Sequence, residues 1–300
     1  MSHAPSAVAI PRSPALRPSR LGRMIGVSRF ARRKPLGAFG AVVLLAVIVA
    51  ALFAPQIARY SPTATSLREA REKPSAQHWL GTDVQGRDQW SRVVYGARIS
   101  LRVAMFSVLA GTAVGSLIGM VSAYVGGKTD LLLQRLIDMV QAFPALVLAI
   151  VLVSVLGASI NNLIIAISIV LIPGACRVIR SATLSVKQTV YIEAARVVGA
   201  SDARIIARHI LPNVMPPALI LISIAIGSTI ITEASLSYLG LGAQPPTPSW
   251  GNMLQEAQNQ LSRAPWLAIF PGLAISLVVF GSNMLGDAIR DVLDPRLRGS

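Results

Sequence analysis

Outside its long apolar runs, the residues of this chain that could do chemistry gather between Thr189 and Pro212, in TVYIEAARVVGASDARIIARHILP. Glu193, Arg196, Asp202, Arg204 and Arg208 are ionisable, but no nucleophile–base pair or carboxylate pair stands among them. The chemistry open to them is polar contact with another surface. Tyr191, Ala194, Ala195 and Val198 fall at helical spacing, with Glu193 and Arg196 toward the other side. Gly199 breaks the pattern, as glycine does where the chain needs positive φ or a close approach. Ser201 and Asp202 suit the start of a second helix, which they can cap and charge. That helix carries Arg204 and Arg208 four apart, sets Ile205 and Ile206 on another face, and is expected to end near Pro212. Helix, elbow and helix make a knob. It serves either as a solvated connector between membrane helices or as a handle for a soluble partner.

Elsewhere the signals for chemistry are thin. Gly127-Lys128-Thr129 looks like the end of a phosphate-binding loop, but the pattern needs a glycine where Ser122 stands, and the context is a membrane helix rather than a strand. His3, His78 and His209 have no metal-ligand spacing and read as solvated or interface histidines. No GxSxG, HExxH or paired carboxylate site occurs. Neither a metal nor another cofactor is expected on this chain. Glu233 lies near one end of an apolar span and Asp138 near the end of another. An ionisable group in a span is a candidate for a translocation path, or else a hydrogen-bonded carboxylate near the headgroups.

The elements that must position the knob are membrane spans. With 53% hydrophobic and 14% charged residues, this is an integral membrane composition. A net charge of +15 could suggest nucleic acid, but the basic residues flank apolar spans and few aromatics sit among them, so no nucleic acid partner is expected. The single cysteine, Cys176, excludes an internal disulfide framework and reads as a small packing residue.

Residues 1–28 read as a disordered tail, and Arg12, Arg17, Arg20, Arg23, Arg29, Arg32, Arg33 and Lys34 as the cytoplasmic flank of a first span. The spans are expected at Leu36 to Ala58, Val103 to Val125, Leu132 to Leu156, Asn162 to Cys176, Pro216 to Leu236 and Trp266 to Gly286. Trp266 suits the interface. A short helix is expected from Trp250 to Leu261 in an outer loop. The reading is an all-α membrane protein of six transmembrane helices with both termini cytoplasmic. Region 29–98 holds the first span and an extracytoplasmic segment, 99–290 is the core with the loop 189–212, and 291–300 is a cytoplasmic tail. Segment 59–98 is the soft point, because it carries a basic excess on the side expected to be outside. Gly115 and Gly119 form a GxxxG pattern that fits contact between helices or subunits.

Glu193-Ala194-Ala195, Gly199 and Leu211-Pro212 resemble the EAA motif of permease subunits of bacterial ABC importers. The family prefers Ile where His209 stands, and RHILPN, here Arg208 to Asn213, is a wording of its peptide branch. His78 to Leu101 resembles the LGTDxxGRDxxSRxxxGARxSL signature of DppC/OppC-like permeases, as do 233–251 and 286–296. The resemblance implies a type I (MetI-like) ABC importer permease for di- or oligopeptides, with nickel, glutathione or opines as alternatives within the branch. It implies a DppB/OppB-like sister permease, two ABC ATPases (DppD/DppF-like) that hold ATP and Mg, and an extracytoplasmic solute-binding protein, all at the bacterial inner membrane lipid. Tyr191, Glu193, Ala194, Ala195, Gly199, Ala200, Ser201, Arg208, Leu211 and Pro212 are then the ATPase-coupling residues. A self-sufficient secondary transporter and a non-transporting scaffold are the readings from other classes.

Overall fold

A computed structural model of the chain describes residues 34–293. The tail 1–28, the basic flank through Arg33, His3 and residues 294–300 lie outside the described residues. Among the described residues, eleven α-helices follow in order. They are α1 (Pro35–Leu52), α2 (Ala54–Ile57), α3 (Gln89–Val125), α4 (Gly127–Gln141), α5 (Ala145–Leu156), α6 (Ile160–Lys187), α7 (Val190–Val197), α8 (Asp202–Ile205), α9 (Leu211–Tyr238), α10 (Trp250–Ala257) and α11 (Trp266–Leu293). Among the described residues, five helices, one of them α9 with its α8 lead-in, are long and apolar enough to cross a membrane, and the bent pair α4 with α5 makes six where it counts as one span.

The spans depart from the expected bounds for local reasons. The first ends at Leu52, because the backbone breaks at Phe53 before the short α2. Helix α3 begins at Gln89, far before Val103, because Asp88 caps it: its carboxylate accepts from the Ser91 N–H at 2.8 Å. The third span is not straight. Pro144 starts α5 and turns it 88° from α4. With 12 residues, α5 alone is about 18 Å long, short of a ~30 Å hydrocarbon core. The fourth span runs from Ile160, capped by Ser159, to Lys187. The fifth begins at Leu211, the sixth runs to Leu293, and the outer short helix stops at Ala257.

Close packing of α3 on α6 organises the bundle. A Cβ on Gly111, Gly115 or Gly119 would lie 2.7, 2.5 and 2.3 Å from the carbonyl oxygens of Ser168, Ile172 and Cys176. The glycine row therefore serves contact between helices of this chain. Buried Cys176 is part of that seam, as expected of a packing residue. Helix α1 lies on α11, with Gly40 facing the carbonyl of Gly281, and Lys34 pairs with Asp291. At the end opposite the knob, the Gln89 side chain donates to the Leu267 carbonyl at 3.2 Å. Trp266 is buried there rather than set at a lipid interface, and its indole N–H donates to the Thr82 carbonyl at 3.3 Å.

Candidate coupling surface

Helix α7 is eight residues long and would not persist alone in water. What fixes it is one apolar row. Ile192, Ile205 and Ile210 are fully buried against Met120 and Tyr124 of α3 and Ile179 of α6. The face of Ile205 and Ile206 is thus the buried one, whereas the helical row Tyr191, Ala194, Ala195 and Val198 does not mark Ile192 or Ile210 as anchors. The row at Ile192 is instead the inward one. Val190, Tyr191, Val197 and Val198 are 44% to 87% exposed. Glu193 and Ala194 are exposed beside them, and Ala195 is half-buried.

The elbow is a Schellman motif. The Ala200 N–H donates to the Ala195 carbonyl at 3.0 Å and the Gly199 N–H to the Arg196 carbonyl at 2.9 Å. It requires the left-handed φ of +79° at Gly199, and no atom lies within 4 Å of where its Cβ would be. Glycine is therefore needed for conformation and not for space. Ala200 closes the elbow against the buried row. Ser201 occupies the cap position of α8 but makes no side-chain cap bond. Asp202 turns away to accept from the Tyr124 hydroxyl at 2.5 Å. The Arg196 guanidinium lies 5.6 Å from the same ring. Lys187 donates to the Ala123 and Tyr124 carbonyls at 3.2 and 2.7 Å, which closes the end of α3.

The knob does not stop at Pro212. A π-helical turn, Ile206–Ile210, passes directly into α9, where Pro212 stands in the first turn and needs no N–H partner. Asn213 donates to the His209 carbonyl at 2.6 Å and to the Tyr191 hydroxyl at 3.3 Å, so α7 is tied back to the start of α9. The rings of Tyr191 and His209 sit 6.1 Å apart. Arg204 and Arg208 face outward. Leu211 borders an apolar groove of about 490 Å³ between α3 and α9, lined also by Met120, Val214 and Met215.

The other candidates fall elsewhere. Asp138 is bound by Arg177 at 2.7 Å, on α4 and α6. Glu233 is fully buried, and its Oε1 accepts from the Ser237 hydroxyl at 2.7 Å. That turn of α9 is packed under Gly242 and Gly251, whose added Cβ atoms would meet Ser237 at 1.9 and 2.6 Å. His78 is not solvated: it is buried, with Nδ1 2.8 Å from Asp88. Gly126 and Gly127 make a tight joint from helix to helix, unlike a phosphate loop after a strand. Among the described residues, no group of three or more potential ligands could hold a metal.

Residues 115–299 match the family described as the inner membrane component of binding-protein-dependent transport systems. Residues 27–74 match the N-terminal transmembrane domain of oligopeptide transport permease C. The chain is 41% identical over 267 residues to the dipeptide transport system permease protein DppC of Alkalihalophilus pseudofirmus, covering 89% of this chain and 88% of that one. It is 46% identical over 269 residues to the glutathione transport system permease protein GsiD of Escherichia coli and of Shigella sonnei, covering 89% of each chain.

Proposed function

Because this chain belongs to the family of binding-protein-dependent transport system inner membrane components, a family of multi-pass ABC importer permeases of the bacterial inner membrane, we propose that it forms one half of a path for di- or oligopeptides. Such permeases work with ATPase and binding-protein partners. For this chain we assign a DppB/OppB-like sister permease and two ATPases of the DppD/DppF kind, which hold ATP and Mg. No ATP site and no cofactor is assigned to this chain. Both termini and the knob are placed in the cytoplasm.

One observation carries the reading. The knob is clamped by Ile192, Ile205 and Ile210 to α3 and α6, runs without a break into α9, and leaves Val190, Tyr191, Glu193, Ala194, Val197 and Val198 uncovered. An ATPase that grips this face moves the inner ends of three helices together. Tyr191, Glu193 and Ala194 supply the contact, and Ala195, Gly199, Ala200 and Ser201 the shape. Leu211 and Pro212 carry the motion into α9, with Arg208 on the outer side of that turn. Glu233 and Asp138 are kept as the proposed path-side carboxylates, each already bonded, Glu233 to Ser237 and Asp138 to Arg177.

The test is Gly199→Val in the full complex reconstituted in liposomes. A left-handed φ is strained for a β-branched residue by about 1–2 kcal/mol, so the elbow deforms while the spans stay intact. ATP hydrolysis is expected to continue while peptide uptake falls. Normal coupled uptake by the variant sinks the reading. On substrate, the 46% match to a glutathione permease supports a second reading, since glutathione is itself a short peptide. Competition between glutathione and an unmodified dipeptide for uptake separates the two.

A further inference from the structure

The outer half of α3 holds Arg92, Arg98 and Arg102, and they meet different company. Arg92 is buried, donates to both Glu256 oxygens at 2.8 and 3.1 Å and also bonds Asp83. Its charge is answered within the chain. Arg98 and Arg102 are exposed, and neither makes a hydrogen bond or an ion pair with any described residue. They stand four apart, so their side chains leave the same face of α3 with Cβ atoms about 6 Å from each other. Two like charges at that spacing repel, and an anion held between them removes the repulsion.

The same face continues inward as Met105, Leu109, Ala113 and Ser116, at the steps of three and four of one helical stripe. Leu109, Ala113 and Ser116 line the groove of about 490 Å³ against Met215 and Ala218 of α9. Ser116 Oγ is buried there with no partner. Residues 103–125 carry no charge over ~34 Å of helix, so Arg98 and Arg102 stand where the span begins, at the end away from the knob. Arg102 is ~10 Å beyond Leu109 along the axis, at the outer approach to the groove. An arginine beside a span calls for a water-filled cavity or an opposite charge, and this chain supplies no such charge to either residue.

We propose that Arg98 and Arg102 form a clamp for the terminal carboxylate of a peptide entering the path, with the rest of the peptide seated along the α3–α9 groove. The inference rests on the function proposed above and adds the group on the cargo that this chain reads. An unmodified peptide ends in a carboxylate whatever its side chains, and glutathione carries two, so the clamp selects a class and not one sequence. The planar guanidinium forks suit a carboxylate, and the groove below them takes apolar side chains without choosing among them. The free Ser116 hydroxyl offers the peptide backbone one hydrogen bond at that depth.

The experiment uses the full transporter in phosphatidylcholine nanodiscs, where no anionic headgroup competes. Exposed Met105 is replaced, Met105→Cys, and labelled with the anionic methanethiosulfonate reagent MTSES or its cationic counterpart MTSET, with the label read on this chain by mass. The wild type, whose Cys176 is buried, is the blank. MTSES is expected to react about tenfold faster than MTSET. A dipeptide slows the labelling and its C-terminal amide does not. Adding Arg98→Gln with Arg102→Gln removes both the preference for MTSES and the protection, whereas Arg98→Lys with Arg102→Lys keeps the preference and part of the protection. No labelling at position 105, equal protection by the amide, or protection that survives the glutamine pair overturns the clamp. Dipeptide uptake by the wild type in liposomes is measured in parallel: if there is none, the proposed function fails, and if it is normal while protection is absent, the clamp alone fails.

Discussion

The indole of Trp250 lies over Gly96, where an added Cβ would stand 2.9 Å from Trp250 Cδ1. The same indole donates its N–H to the Val93 carbonyl at 2.9 Å. One turn of α3 thus gives α10 both its seat and its hydrogen bond. Gly96→Val places a branched side chain where the ring sits, and the ring is fully buried. The variant is expected to lose α10 docking and to lower the unfolding midpoint in detergent strongly. Trp250→Phe keeps most of the apolar area and loses one hydrogen bond to a carbonyl that retains its helix partner, at a cost of about 0.5–1.5 kcal/mol. A thermal-shift series on the two variants checks the order.

The two faces of the knob should separate in mutation. Ile192→Ala leaves a hole beneath α7, where Ile192 is fully buried, and should cost about 2–5 kcal/mol locally. Val197→Asp changes a side chain that is 87% exposed and should leave the fold unchanged. If the exposed face meets the ATPase, Val197→Asp abolishes coupled uptake while protease resistance of the loop stays as in the wild type. Ile192→Ala should instead open the loop to protease. The reverse pattern would place the docking face on the other side of α7.

How far the sequence could be read follows from these residues. The Gly199 elbow was legible because only one residue type takes that φ without strain. The number of spans was legible because apolar length is a one-dimensional signal. The inward row of α7 was not, because in an eight-residue helix with apolar residues on more than one side the period does not single out a face, and the choice between Ile192 and Tyr191 is made by Met120, Tyr124 and Ile179, more than 60 and about 12 residues away in sequence. The bend between α4 and α5 was obscured for a similar reason. Pro144 alone marks a break, but whether the helix kinks or turns through 88° depends on what holds α4. His78 read as solvated because its partner, Asp88, is a cap whose role appears only once α3 is known to start there.

The glycine row of α3 gives a graded test. Gly115→Ala and Gly119→Ala would each set a methyl group 2.5 or 2.3 Å from a backbone carbonyl of α6, which cannot rotate away. Both should push α3 from α6, and Gly119→Ala should be the worse. Gly174 has open space at its Cβ position, so Gly174→Ala serves as the control and should be tolerated. Recovery of folded monomer by size-exclusion chromatography reads the order. Equal tolerance at all three sites would mean that α3 and α6 can move apart at no cost, so the glycine row does not set the seam.

The last prediction concerns what holds α4 at its angle. Asp130 receives a fork from Arg180, Nε to Oδ1 at 2.8 Å and Nη2 to Oδ2 at 2.5 Å, and also bonds the Ser122 hydroxyl. The second tie, Arg177 to Asp138, is about half exposed on both sides and should count for little. The forked pair is more enclosed and bonded on both oxygens, so it should dominate. Arg180→Lys keeps the charge but loses the fork, and Asp130→Asn keeps the shape but loses the charge. Each should lower stability by about 1–3 kcal/mol, with the double variant costing less than the sum. Arg177→Ala should shift the unfolding midpoint far less. A double-mutant cycle in urea or heat reads the coupling directly. A strictly additive cycle for Asp130 and Arg180 would mean that Pro144 and apolar packing alone set the bend.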